Sequence, residues 1–314
     1  MTSVFDDDTL APGGSARREA LKCMAWAGTG LIWSLAGGVP LAGMLGRAEA
    51  AAAEGFTFAQ FSDSHLGFNK DPNMDPTATL KEAIADLAKL EKKPAFIIHT
   101  GDISHLSKPV EFDTAAEIFK ETGIPVFYVP GEHDVLTDEG ASYRERFAPK
   151  AQGDGWFSFD HDGVHYIGLV NVQNLKAGGL GNLGNAQLVW LADDLRPLKA
   201  STPIVVFAHI PLWTVYADWG WGTEDGTNAL ALLARFGSVT VLNGHIHQIM
   251  QKVEGKVAFH TARSTAFPQP APGTAASAGP MKVPAGELKN WLGITDVTFV
   301  RGRERLAIVD HTLA

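Results

Sequence analysis

The chain has 314 residues, 45% of them hydrophobic and 19% charged, which fits one large globular domain or two small ones. Its formal net charge is −9. That balance removes any electrostatic reason to expect a nucleic-acid polymer or an anionic membrane surface as a partner.

The first fifty residues differ in kind from the rest. Ser15-Ala16-Arg17-Arg18-Glu19-Ala20-Leu21-Lys22 precedes an apolar, Gly- and Ala-rich stretch from 23 to 45, and Ala48-Glu49-Ala50 then offers small residues for cleavage. This pattern resembles the twin-arginine class of bacterial export signals. It predicts loss of residues 1–50, a single mature domain at 51–314 that is not membrane-bound, and a periplasmic or otherwise exported location. The twin-arginine export machinery is then an expected partner. An uncleaved membrane anchor is the competing reading, because the apolar stretch approaches the length of a span. Its glycine content and the Ala-x-Ala site favour cleavage. Cys23, the only cysteine, falls in this segment, so the mature chain would carry no disulfide and no thiolate ligand.

From residue 56 onward, apolar runs that read as buried strands alternate with helical spacing. FTFAQFS (56–62) ends in Asp63-Ser64-His65, and residues 77–90 then place Leu80, Ile84, Leu87 and Leu90 on one helical face. PAFIIHT (94–100) ends in Gly101-Asp102; a second helix is expected at 110–121, through Phe112, Ala116 and Phe119. IPVFYVP (124–130) ends in Gly131-Glu132-His133-Asp134. Short strands at 156–159 and 164–170 and a helix at 185–195 lead to PIVVF (203–207), which ends in Ala208-His209. VTVLN (239–243) ends in Gly244-His245-Ile246-His247, and late strands are expected at 257–261 and 306–309. Strand–helix–strand alternation opens a parallel sheet, so the polar clusters are delivered to one sheet edge. Asp, His and Glu without thiolate suit Mn, Fe(II), Zn or Co, in numbers sufficient for two ions.

In that order the five clusters resemble the D-x-H, GD, GNH(D/E), H and GHxH pattern of the calcineurin-like metallophosphoesterases, over about residues 56–265. Ser62-Asp63-Ser64-His65-Leu66 and Asn243-Gly244-His245-Ile246-His247-Gln248 are similar to the cyclic-nucleotide phosphodiesterase-like branch. The resemblance implies an α/β fold, a four-layer sandwich of two mixed β-sheets flanked by helices. It also implies two divalent metal ions (Mn, Fe or Zn), with Asp63, His65 and His247 on the first, His209, His245 and Glu132 on the second, and Asp102 bridging them. A metal-bridging hydroxide would attack phosphorus, His133 would serve the leaving oxygen, and Asp134 would hold the His133 imidazole. The implied substrate is a small phosphoester, a phosphodiester ahead of a phosphomonoester.

Glu132 departs from the family pattern, which has asparagine there. A glutamate can ligate and add negative charge, or its longer side chain can misplace the second ion. A non-catalytic metal-binding module on the same fold is therefore an alternative, opposed by the His133-Asp134 pair. His99 reads as a hydrogen-bonded core histidine, His105 as a pocket-lining candidate, and His161, His165 and His311 as ordinary strand or surface residues. Trp213, Tyr216, Trp219 and Trp221 could stack a base or cover the metals, or simply pack under their loop. The Ala/Pro/Gly-rich stretch at 264–286 reads as a long loop, either a flap at the site or an excursion away from it.

Overall fold

The computed structural model describes residues 32–36, 39–43 and 55–314, apart from 285 and 304. Ile32–Ala36 and Val39–Gly43 pair antiparallel. The paired arginines at 17–18 and the expected cleavage site at 48–50 lie outside the described residues. No described helix is long and apolar enough to cross a membrane.

The layering follows from the alternation of side chains along strands. In β1 (Gly55–Phe61), Phe58 is buried in one apolar cluster and Ala59 and Phe61 in another. Two further parallel strands, β2 (Ile97–His99) and β3 (Val126–Tyr128), lie beside it in register. Between them run α1 (Pro76–Asp86) and α2 (Pro109–Glu121), each opening with proline at a position whose missing N–H costs nothing. Asp75 caps α1 by accepting from the Ala78 N–H at 3.0 Å, and Glu111 turns back to accept from the Leu106 N–H at 2.8 Å. Leu80, Phe112, Ile118 and Phe119 of these helices bury against Ala59, Phe61 and Ile97, each large side chain stabilising the fold by roughly 1.5–3 kcal/mol. α3 (Ala141–Phe147) joins that face, and its Tyr143 hydroxyl donates to the Tyr128 carbonyl at 2.9 Å.

The second sheet begins with the hairpin β4 (Phe157–His161) and β5 (Val164–Gly168). It continues through α4 (Asn185–Leu195), β6 (Ile204–Ala208), α5 (Gly226–Leu233) and β7 (Val239–Asn243), then β8 (Gln251–Glu254) and β9 (Val257–Thr261). β5, β6, β7 and β9 are mutually parallel, giving the spatial order β8-β9-β7-β6-β5-β4. Along β6 the sorting is strict: Ile204, Val206 and Ala208 bury under α4 and α5, while Val205 and Phe207 face the inter-sheet cluster. β10 (Gly293–Val300) returns to lie antiparallel on β1, and β11 (Ala307–Thr312) completes the first sheet as β11-β10-β1-β2-β3. Phe58 and Tyr166 meet edge-to-face across the sheets at 5.6 Å. The result is the expected four-layer α/β sandwich of two mixed sheets with helices outside.

Several boundaries differ from the sequence reading. The helix expected at 77–90 ends at Asp86 in a short 3-10 turn, Leu87–Lys89, and the chain at Leu90 is already extended. The strand expected at 156–159 runs to His161, and the one expected at 164–170 stops at Gly168. α3, α5, β8 and β10 were not foreseen.

Candidate metal centre

The parallel strands of both sheets end at the same place. β1 leads into Asp63 and His65, β2 into Asp102, β3 into Glu132 and His133, β6 into His209, and β7 into His245 and His247. All seven predicted ligand side chains converge there. Asp63, His65, Asp102, His209 and His247 are buried, and Glu132 and His245 are partly exposed.

Their donor atoms fall into two sets. Asp63, His65 and His247 bring one ligand atom each to within 4.8 Å of one another, and Glu132, His209 and His245 do the same. Asp102 lies between them, its Oδ2 3.5 Å from His65 Nε2 and 3.4 Å from His209 Nε2. Asp63 Oδ1 is 3.2 Å from His247 Nε2 and 4.0 Å from His209 Nε2. Glu132 spans the second set, with Oε1 3.0 Å from His245 Nδ1 and Oε2 2.8 Å from His209 Nε2.

The imidazoles are oriented from behind by main-chain carbonyls. His209 Nδ1 donates to the Thr100 carbonyl at 2.7 Å and His247 Nδ1 to the Phe267 carbonyl at 2.5 Å. A carbonyl only accepts, so both rings carry the proton on Nδ1 and turn the Nε2 lone pair inward. His209 Nε2, His245 Nδ1 and Glu132 Oε2 are buried and make no hydrogen bond, although they lie close together. Such donors satisfy a cation better than one another, and the set fits borderline-to-hard divalent ions.

The backbone is strained at the same positions. Asp63, His65, Asp102, His245 and His247 all have φ between 40° and 70°, in the left-handed region that ordinary residues avoid. Each such residue costs about 1–2 kcal/mol and persists only where the surroundings overdetermine it. Hydrogen bonds do so here: the His245 N–H reaches Asp63 Oδ1 and Oδ2 at 3.1 Å each, and the His133 N–H reaches Asp102 Oδ1 at 2.9 Å. The motif glycines are steric requirements. A Cβ on Gly244 would sit 2.0 Å from Ser62 Oγ, and one on Gly131 would sit 2.0 Å from Asp102 Oδ1.

Electrostatics sort the charges. Burial disfavours ionised Asp63, but His247 and His209 hold its pKa below the ordinary carboxyl value. Desolvation opposes ionised Glu132 as well, and His245 and His209 hold it well below. Burial drives the His65 pKa well down, with His133 and His247 adding to the effect, so this ring stays neutral and available as a ligand. His209 goes the other way while no cation is bound: burial opposes its second proton, and Asp102 and Glu132 outweigh burial to raise its pKa well above the usual value, so a cation bound there would displace the proton from Nε2.

Asp134 does not reach the His133 imidazole. Its carboxylate accepts from the Gly131, Ile103 and Ser104 N–H groups at 2.9, 3.1 and 2.8 Å and from the Ser104 hydroxyl at 2.8 Å. Burial and Asp102 push its pKa up to about 7. It therefore clamps two ligand loops together, and the imidazole is held instead by the His105 carbonyl, 2.7 Å from His133 Nδ1. The correction has a simple cause: the 3-10 turn Glu132–Asp134 folds the aspartate back onto Gly131.

The two loops left open by sequence divide. Residues 264–270 form a wall of the centre: the Ser264 hydroxyl donates to the Asp63 carbonyl at 2.7 Å, and the Phe267 ring stacks on His65 with centroids 4.7 Å apart. Residues 271–284 are mostly exposed. Of the aromatic group, Trp221 is fully buried and Trp213 packs on Phe259 at 4.8 Å, so both serve packing. Tyr216 and Trp219 are partly exposed and touch edge-to-face at 5.3 Å. His99 is a core residue bonded to Ser64 Oγ at 2.8 Å, and His165 is a residue of strand β5, buried between Asp160 and Asp194. Thr100 and Phe267 were missed because the acceptors they offer the ligand histidines are main-chain carbonyls, which carry no residue-type signal.

Comparison with known proteins agrees with this geometry. The chain is 28% identical over 223 residues to the serine/threonine-protein phosphatase CPPED1 of Danio rerio, covering 62% of this chain and 70% of that one. It is 27% identical over 223 residues to a probable cyclic nucleotide phosphodiesterase of Synechococcus sp., covering 68% and 83%. Its fold matches a dimetal phosphatase structure from Danio rerio with a TM-score of 0.56 at 14% identity, over 82% of this chain and 99% of that one. The calcineurin-like phosphoesterase family profile matches residues 56–249, a span that takes in all five ligand-bearing strand ends, and the chain is accordingly a hydrolase of the calcineurin-like phosphoesterase family.

Proposed function

We propose that this chain is an exported enzyme that hydrolyses small phosphodiesters at a centre of two divalent cations. The observation that carries the reading is the place of Asp102 Oδ2, within 3.5 Å of nitrogens from both donor sets. Asp63, His65 and His247 would hold one ion, Glu132, His209 and His245 the other, and Asp102 would serve both. Bound there, the ions supply an activated water and neutralise charge on the phosphoryl oxygens.

The chain's own residues govern position and protons. His133 stands partly exposed at the rim, its Nδ1–H committed to the His105 carbonyl, so Nε2 is the nitrogen left to face a departing oxygen. Burial works against a proton on this ring, and Asp102 and Glu132 outweigh it, raising the pKa above the ordinary histidine value. His133 is thus suited to protonate the leaving group. Asp134 keeps the Gly131 turn against Ser104, which fixes the backbone from which His133 projects. The diester preference rests on the Ser62–Leu66 and Asn243–Gln248 segments and on the phosphodiesterase relative. A phosphomonoester preference is the second reading, favoured by the phosphatase relative. Export rests on residues 15–50 alone.

The test is metal content together with turnover of bis(p-nitrophenyl) phosphate and p-nitrophenyl phosphate, in the wild type and in His133→Ala. Two ions per chain, with diester turnover about 10²–10⁴-fold lower in His133→Ala at unchanged metal content, is the expected result. Faster monoester turnover overturns the diester assignment. A metal-loaded wild type inert toward both esters overturns the catalytic reading for simple esters.

A further inference from the structure

We propose that His105 is a positioning residue for the metal-facing imidazole of His65, an inference that rests on the two-cation reading. His65 directs Nε2 toward Asp102 Oδ2 and toward His247 Nε2, at 3.5 and 3.3 Å. A ring that offers Nε2 to a cation carries its proton on Nδ1 and needs an acceptor there. For His209 and His247 that acceptor is a main-chain carbonyl. For His65 it is a side chain: Nδ1 lies 3.3 Å from His105 Nδ1. His105 accepts with its Nδ1 lone pair and so carries its own proton on Nε2.

The local fold builds this contact. Past the end of β1, the Leu66 N–H donates to the Ile103 carbonyl at 3.0 Å and the His105 N–H to the Leu66 carbonyl at 2.9 Å. The two segments therefore run side by side with Leu66 opposite Ser104, extending the β1–β2 pairing past the sheet and setting the two histidines on diagonal positions across that bridge. The ring of His105 is held on one side by the edge of Phe68, at 5.2 Å, and on the other by His133, stacked at 4.9 Å and 15°. A neutral acceptor held this firmly fixes both the tautomer and the tilt of His65.

The geometry separates the side chain's role from that of the main chain. His133 is bonded to the His105 carbonyl, which any substitution at 105 retains. His105→Phe keeps an aromatic ring between Phe68 and His133 and removes only the acceptor. His105→Asn restores an acceptor near the position of Nδ1.

The experiment is calorimetric titration of metal-stripped protein with Mn(II) and with Zn(II), with His247→Ala identifying which binding event belongs to the Asp63, His65 and His247 set. The expected result is that His105→Phe weakens that event by about 10–100-fold and leaves the other within about threefold, while His105→Asn recovers most of the loss. If His105→Phe fails to fold, His105→Ala against His105→Asn makes the same comparison. Equal weakening of both events, an unaffected His65 event, or no recovery with asparagine overturns the inference while the two-cation reading stands. A wild type that binds fewer than two ions overturns both.

Discussion

Glu132 shows what one residue contributes to this centre. Its two carboxylate oxygens face two different histidines at 3.0 and 2.8 Å, a span that an asparagine, with one oxygen and one fewer methylene, cannot cover. Glu132→Asn is expected to weaken binding of the ion in the Glu132, His209 and His245 set by at least the roughly 10–100-fold associated with lost outer partners of metal ligands. Metal titration of the variant against wild type checks this, and an unchanged affinity would show that Glu132 is no ligand. His165 makes a residue-scale prediction away from the centre. Burial lowers its pKa, but Asp194 at 2.9 Å and Asp160 at 2.8 Å more than reverse that, so the folded value lies above 6.5. A raised value means that the protonated ring stabilises the fold fully below about pH 6.5 and that this contribution is lost as pH rises through the folded pKa. The melting temperature of His165→Gln should therefore fall further below wild type at pH 6 than at pH 9, and a pH-independent gap would refute the ion pair.

At the scale of elements, the strand ends carry the site, and the turns after them are made possible by close-approach glycines. Gly244→Ala would press a methyl group to within 2.0 Å of Ser62 Oγ and 2.7 Å of Asp63 Oδ2. We expect a loss of about 1–3 kcal/mol of stability from overpacking, with Asp63 displaced and metal affinity reduced alongside. Denaturant unfolding and metal titration of the same sample check both parts, and wild-type values in each would contradict the contact. These strand ends were legible in the sequence because every one pairs an apolar run with a residue type that binds cations. β10 was not, because Asp296 and Thr298 interrupt its apolar pattern and its partner β1 lies more than two hundred residues earlier in the chain. The role given to Asp134 was misread for a related reason: sequence adjacency to His133 says nothing about a 3-10 turn that sends the carboxylate backward. The sequence left 264–286 open between a flap at the site and an excursion, and could not pick out 264–270 as the wall, because its contribution comes from carbonyls, a hydroxyl and one ring rather than from titratable groups.

Considered whole, the centre belongs to neither sheet alone. Asp63, His65, Asp102 and Glu132 follow strands of the first sheet, and His209, His245 and His247 follow strands of the second, with the Phe58, Tyr166 and Phe207 cluster between. Ions bound across that seam favour the state in which the sheets are packed. Occupancy at about a hundred times the dissociation constant is worth about 2.7 kcal/mol per site, so chelation of both ions should lower the melting temperature by about 10–20 °C. Calorimetric melting with and without chelator tests this, and an unmoved transition would exclude metal bound across the seam.

The loop that begins at this wall has its two ends tied together. Gln248 Nε2 donates to the Gln269 and Pro270 carbonyls at 2.9 and 2.6 Å, and the Met281 N–H donates to the Pro268 carbonyl at 2.8 Å. The exposed residues between are thus a closed ring of chain hung from a fixed clasp. For such a ring, doubling the contour length costs only about 0.6 kcal/mol of closure entropy. The fold can therefore accept longer or shorter inserts at 271–280, and with them different covers, while the floor beneath keeps its register.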